Sequence, residues 1–373
     1  MSGPPRAVAC RIDREALGAI VRGDLETAVR FARDSAFDAD RFAAFAAEHQ
    51  LAGFVHAAID GTSMQDALSA AARARLAGAF VRQWATNERL ALELREVAQA
   101  FESAGCPFIL LKGLHLAIAY HGGTDRRGMS DLDILVRKDD LARAMSLLVR
   151  RGYEHSAGAL LGWRIASMFT HACELERKGV PLDVHWALVN HPSYRLDYDE
   201  IWACRRRFDA EGAQVHVLDD EHALTFQVLA IAKDLELGTV TLKAFADLYA
   251  ITRAFDAKQA WKPFFAARTR EHTARAAAAM LALMLSIFDA VRSFPMLTAC
   301  LDRWASPPAP RALVERVAMR RRSLGDRLWA VALYETSLLR AGAWWAVSLP
   351  FRMAGHATAH GPRDSVAPLE DVR

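Results

Sequence analysis

Asp131 and Asp133 stand two residues apart in the run Asp131–Val136, DLDILV. Residues i and i+2 of a strand point to the same side, so a strand over this run would project both carboxylates together and leave Leu132 and Ile134 on the other face. Two like charges held that close repel unless a cation lies between them. Carboxylate oxygen suits a hard ion, Mg²⁺ or alternatively Mn²⁺, which keeps positions for phosphate oxygens. Two such ions ~4 Å apart can stabilise both the attacking and the leaving oxygen of a phosphoryl displacement. A third acid, Asp183, lies in PLDVHW (Pro181–Trp186), on a segment that reads as a flanking strand, and His185 shares its face two residues on. Asp183 could complete a ligand set or take a proton from an attacking hydroxyl.

The grip on phosphate is expected upstream. Lys112-Gly113 closes the apolar run PFILLK and opens a short helical segment, Leu114–Tyr120. Glycine permits close backbone approach, and a helix N-terminus offers N–H groups to an anion. Arg126 and Arg127 lie in the loop HGGTDRRGMS, which Ser130 ends beside Asp131. Arginine is the better fork for bidentate phosphate contacts. Lys112, Gly113, Arg126, Arg127 and Ser130 form the candidate nucleotide-binding set.

Each piece also has a plainer reading. A lone D-x-D can cap a turn, and two loop arginines can simply be solvated. His171 and His185 can be structural, bonding backbone carbonyls, or can serve as acid/base groups behind the carboxylates. His115 and His121 read as helix-surface residues. Lys243 and Asp247 are four apart and read first as a helix salt bridge that could still reach the nucleotide. The joint order is what favours a metal–nucleotide site: strand, Lys-Gly, short helix, arginine loop, D-x-D strand, helix, hairpin, third aspartate.

The elements that would hold these groups can be read from periodicity. The first hundred residues are rich in Ala, Leu, Arg and Glu, and Leu90, Leu94, Val97 and Phe101 recur at helical spacing on one buried face. Gly105 sits where a left-handed cap belongs, and Pro107 forbids continuing the helix. After the D-x-D strand, Asp139 or Asp140 can cap a helix burying Leu141, Ala144, Met145 and Leu148, which Gly152 ends. His171–Arg177 and Val180–Leu188 predict two strands around the Lys178-Gly179 turn, with Pro181 expected to confine the second to a sheet edge. From Asp219 the chain is helical again, with Leu224, Val228, Ile231, Leu242 and Phe245 at helical spacing. The predicted organisation is a helical region over 13–104, an α/β core over 105–217, a second helical region over 218–352 and a loose tail over 353–373.

Composition bounds the rest. Hydrophobic residues make up 52% and charged residues 24% of the 373, enough apolar material for a real core and too much for a disordered or low-complexity chain. A net charge of +3 makes no case for bulk nucleic-acid binding. Five scattered cysteines without a C-x-x-C pair argue against a disulfide framework or zinc cluster and fit a reducing cytoplasm. The N-terminal residues lack a signal-peptide apolar core, and the longest charge-free apolar stretch, Ala276–Phe288, is 13 residues, short of the roughly 18 that span a membrane. The segment Arg311–Arg327 carries six arginines, which read as a solvated helix face or, less simply, an RNA-binding surface. The apolar segment Leu328–Phe351, with Trp329, Trp344 and Trp345, reads as a core or interface helix. No G-x-S-x-G, H-E-x-x-H, G-x-G-x-x-G or Walker motif occurs.

The stretch LLKG…RRGMSDLDILV…RRGYE…LDVHWAL resembles the uncharacterised-nucleotidyltransferase family within the DNA polymerase β-like nucleotidyltransferase superfamily. The resemblance is strongest over about Pro107–Leu188 and extends to Lys243…Asp247-Leu248. It implies an α+β fold, a small polymerase β-like mixed sheet flanked by helical regions. By matching positions, Gly113 takes the helix-start glycine, Asp131 and Asp133 the metal pair, and Asp183 the third acid. Lys112-Gly113 departs from the superfamily's Gly-Ser while resembling this family's own Lys-Gly. The implied activity is Mg²⁺-dependent transfer of a nucleoside monophosphate from a nucleoside triphosphate, ATP among the candidates, to an unidentified acceptor, with pyrophosphate leaving; nucleic acid is not required. The alternative is a nucleotide-binding regulatory or antitoxin-like protein that keeps the site without rapid chemistry.

Overall fold

The structure, a computed structural model, describes residues 6–155, 171–191, 193–302, 304, 312–320 and 323–333. Its architecture is α+β, one mixed sheet wrapped by helices. The predicted tail 353–373, Trp344 and Trp345, and Arg311, Arg321 and Arg322 lie outside the described residues.

The longest helix, Ala70–Ser103, starts where the Ser69 hydroxyl accepts from the Ala72 N–H at 3.0 Å. It stops before Gly105, whose φ of +58° is a conformation that glycine reaches without strain. Its expected face, Leu90, Leu94, Val97 and Phe101, is buried, and it packs against the strands in a core of its own. Glu93 of the same helix receives Arg177 in a fork, at 2.8 and 2.7 Å, pinning the far end of the sheet to the helix.

Seven strands form the sheet: β1 Phe108–Leu110, β2 Leu132–Val136, β3 Glu154–His155, β4 Ala172–Arg177, β5 Val180–His185, β6 Arg206–Ala210 and β7 Ala213–Val217. Their order is β3-β4-β5-β2-β1-β7-β6. β1 runs antiparallel to β2, while β2 and β5 run parallel with Asp133 opposite Asp183. The end of β1 and the start of β2 therefore meet, and the Leu111 N–H donates to the Asp133 carbonyl at 3.0 Å. The helix after β2, Leu141–Arg150, buries Leu141, Ala144, Met145 and Leu148, as their spacing predicts.

Pro181 does not put β5 at an edge: β5 is flanked by β4 and β2. The ladder to β2 begins one residue later, at Leu132–Leu182, so the missing proline N–H falls outside it. The β6–β7 hairpin, which extends the sheet beyond β1, is announced in the sequence only by its Glu211-Gly212 turn and the alternation of Val215 and Val217.

The other core is mostly helical and takes in Ile109 and Leu135 of the sheet. It joins residues near the N-terminus, such as Leu17, Phe42 and Val55, with Phe245, Phe264, Met280 and Leu297 from the later helices. His49 ties these parts together. Its Nε2–H donates to the Ala318 carbonyl at 2.8 Å and its Nδ1 accepts from the Leu242 N–H at 3.2 Å. Burial pushes the imidazole down to about 4, so the neutral ring that can serve both partners is the resting form. Among the described residues no helix is long and apolar enough to cross a membrane.

Candidate functional site

The acidic edge lies where β2 and β5 run side by side. Asp133 is buried at 1% exposure, and Lys112 Nζ and His185 Nε2 both approach its Oδ1, at 3.1 and 3.2 Å. An ionised carboxylate can only accept, so both nitrogens donate. Burial works against the Asp133 charge, but Lys112 and then His185 outweigh it and hold this carboxyl below the ordinary range. Its second oxygen, Oδ2, is buried without a hydrogen-bond partner, as is His185 Nδ1. Burial keeps the His185 ring neutral by lowering its affinity for a proton.

Asp183 is treated differently. Its carboxylate has no hydrogen-bond or ion-pair partner among the described residues. Burial, and after it the charges of Asp133 and Asp131, push its carboxyl well above the usual range. Ligand atoms of Asp133, Asp183 and His185 all lie within 4.8 Å of one another. Asp131, just before β2 and half-buried, lines the same cleft without joining that compact trio, and its Oδ1 accepts from Ser130 Oγ at 3.1 Å.

The residues present fit a divalent cation. The donor set is hard carboxylate oxygen backed by an imidazole, one buried oxygen lacks any donor, and one carboxylate is held against its neighbours' repulsion. A cation would satisfy all three conditions at once.

Cations gather beside this edge. Gly113 opens the helix Leu114–His121 with φ at +67°, and a Cβ there would meet Met129 Sδ at 3.3 Å, so the position favours glycine on two grounds. Arg127, 5% exposed, does not point free into the cleft: its Nε and Nη2 fork onto Asp247 at 2.8 and 2.9 Å. His121 Nε2 adds a contact to the same carboxylate at 2.9 Å, and Lys243 Nζ lies 3.7 Å away. Burial opposes the Asp247 charge, but Arg127 and Lys243 carry it well below the ordinary range. Lys243 is pushed down to about 8, first by burial and then by Arg127, with Lys112 adding to the crowding.

The arginine loop is held from below by the long helix. Asn87, fully buried, donates to the carbonyls of Thr124 and Arg127 at 2.5 and 2.8 Å and accepts from the Met129 N–H at 3.2 Å. Gln83 donates to the Asp125 carbonyl at 3.0 Å.

One cleft of about 550 Å³ brings together Lys112, Gly113, Arg127, Ser130, the three aspartates, His171, His185, Lys243 and Asp247. Arg126 is exposed on the outer side of its loop and does not line the cleft. The His171 ring stands 5.7 Å from that of His185, and its carbonyl accepts from the Trp186 N–H at 3.0 Å. Lys233, from the helix Asp220–Leu237, reaches the cleft as well. Sequence reading did not single out Asn87, Gln83 or Lys233; their spacing on long helices carries no motif. It also misplaced two histidines. His115 is fully buried and His121 sits against Asp247, because the short helix is buried over most of its surface rather than on one stripe.

The arginine-rich segment does not form one solvated face. Arg316 forks onto Asp326 at 2.7 and 2.6 Å, Arg320 donates to the Glu48 carbonyl at 3.0 Å, and Arg327 donates to the Leu237 carbonyl at 3.1 Å. Arg316 thereby joins the two short helices Leu313–Ala318 and Leu324–Ala332 to each other, and Arg320 and Arg327 tie them to the body.

Residues 35–289, more than half of the chain, match the model of a family described as uncharacterised nucleotidyltransferase. No curated protein matches the sequence.

Proposed function

The chain belongs to the uncharacterised nucleotidyltransferase family and is thereby a transferase, and from that premise we propose that its cleft moves a nucleoside monophosphate from a nucleoside triphosphate to an acceptor with Mg²⁺. The observation that carries this reading is the pairing of Asp133 with Asp183 across β2 and β5, one with an unpartnered oxygen and the other with an uncompensated charge.

In this reading Asp131, Asp133 and Asp183 hold the cation, with Mn²⁺ as a substitute. When bound, it supplies Lewis-acid charge to the triphosphate and to the attacking oxygen. The chain's own residues do the rest. Gly113 and the helix start behind it receive phosphate oxygens on backbone N–H groups. Lys112 and Lys243 neutralise phosphate charge. Arg127, fastened to Asp247, shapes that wall. Asp183 favours the acceptor's deprotonated form. The acceptor oxygen forms a bond to the α-phosphorus, the bond from that phosphorus to the bridging oxygen breaks, and pyrophosphate leaves with the electron pair. Catalysis is then positioning plus preorganised charge.

A second reading, nucleotide binding without turnover, has one observation in its favour: Lys112 already neutralises Asp133. Pyrophosphate release separates the two. With Mg²⁺, a panel of nucleoside triphosphates and a mixed acceptor pool, the account expects pyrophosphate from the wild type and a loss of at least about a thousandfold in Asp131→Asn/Asp133→Asn, the scale of several kcal/mol of lost charge stabilisation. Equal release from both proteins would overturn the assignment. Thermal stabilisation by nucleotide without release would favour the binder.

A further inference from the structure

Lys112 stands where two opposite sets of charge meet. Its Nζ lies 3.1 Å from Asp133 Oδ1, and its side chain is one-third exposed to the cleft. Burial disfavours its charge, but Asp133, Asp131 and Asp183 together more than restore it. Lys243 lines the same cleft, where the charge of Lys112 adds to the burial and the Arg127 charge that depress its proton affinity, and Arg127 crowds the same wall with Asp247 as its carboxylate partner. The ammonium is thus held by acids and repelled by cations.

Asp133 Oδ1 already accepts from an ammonium and an imidazole. A divalent cation sharing this carboxylate would face the ammonium at short range in a buried setting, where like charges repel far more strongly than in water. Polyphosphate oxygens reverse the balance. They would offer Lys112 a charge-assisted partner and at the same time relieve the excess positive charge around Lys243.

We propose that Lys112 makes divalent-cation binding conditional on a polyphosphate: its ammonium occupies Asp133 until triphosphate oxygens draw it away, so cation and nucleotide bind with positive coupling. This rests on the metal–nucleotide reading of the cleft given above. By linkage the coupling is reciprocal, so the cation tightens the nucleotide by the same factor. Lys112 acts here as a positioning residue with a second task, compensating the Asp133 charge at rest.

Binding of Mn²⁺ alone, followed by electron paramagnetic resonance of the free ion on the full chain without nucleotide, tests the proposal. Wild type should bind weakly. Lys112→Met, which keeps the apolar stem and removes the charge, should bind at least on the order of tenfold more tightly. Lys112→Arg, which keeps a charge at the same place, should stay as weak as wild type. The gain should vanish in Lys112→Met/Asp133→Asn. A far-ultraviolet spectrum shared by all variants shows that each is folded. Tight binding by wild type with no gain in Lys112→Met would overturn the proposal and leave the metal reading standing. Weak binding by Lys112→Met, no better than Asp133→Asn, would overturn both.

Discussion

Two carboxylates, one buried and one half-buried, line one cleft and are provided for in opposite ways. Asp247 has both oxygens filled by the Arg127 fork, with His121 and Lys243 alongside, and its charge is strongly favoured. Asp183 has no such partner among the described residues, and its charge is opposed by burial and by two neighbouring acids. The fold satisfies the helix-borne Asp247 completely and leaves Asp183, on β5 in the same cleft, without a side-chain partner of its own. A carboxyl left this way in a cleft is a candidate for completion by a ligand.

The sharpest way to break that comparison is to neutralise each acid in turn. Asp247→Asn strands the Arg127 guanidinium, and removing one partner of a buried pair costs about 3–5 kcal/mol. Chemical denaturation should show a loss of that size. A change below about 1 kcal/mol would mean that the Arg127–Asp247 pair is not the structural anchor described.

A smaller effect is expected where the arginine loop is tied down. Asn87→Ala leaves two carbonyls and one N–H of the loop without their partner, a penalty of about 2–3 kcal/mol if water does not replace it. Nucleotide affinity should fall along with stability, since Arg127 and Gly128 share that loop. Unaltered nucleotide affinity would detach the loop from the site.

The mildest effect concerns pH. Lys243 is pushed down to about 8 from an ordinary value of 10.5. Its folded value is depressed, so the ammonium is present below about 8 and discharges as pH rises through that value, while the unfolded chain still binds the proton up to about 10.5. Nucleotide affinity in the absence of added cation should therefore drop by about tenfold, or ~1.4 kcal/mol, between pH 7 and pH 9.5. Lys243→Arg, charged throughout this range, should flatten the profile. A profile of the same shape in both proteins would remove Lys243 from the phosphate wall.

The same contrast explains what the sequence makes legible. Asp133 and Asp183 announce themselves because strand alternation, a local rule, fixes which side each takes and the β2–β5 register then aligns them, whereas Asp131 falls one residue before β2 and lines the cleft without joining the trio. Lys112-Gly113 is visible for a similar reason, as the seam between an apolar run and a short helix. The partner of Arg127 is not visible. Asp247 is 120 residues away, and no local pattern distinguishes an arginine that will meet phosphate from one that will be forked onto a distant acid. Asn87 is hidden in a helix whose periodicity speaks only of its apolar face. His115 and His121 fail for the converse reason: most of the short helix is buried, so a one-stripe rule does not apply to it. Pro181 misled because a proline excludes one ladder bond, not a whole strand, from the sheet interior.

The central proposal is that Asp183 stands without a partner of its own at the β2–β5 edge, its ionised form opposed by burial and by Asp133 and Asp131, so that a cation can complete it. Thermal melting of wild type and Asp183→Asn at pH 8, with and without Mg²⁺ and nucleoside triphosphate, tests it directly. Because its folded carboxyl is raised, wild type loses stability as pH climbs past the ordinary carboxyl range, and the variant escapes that loss. The account predicts that Asp183→Asn melts at or above the wild-type temperature when no ligand is added, and that Mg²⁺ with nucleotide raises the melting temperature of wild type but not of the variant. A variant that melts lower than wild type yet keeps the full ligand-induced rise would contradict it.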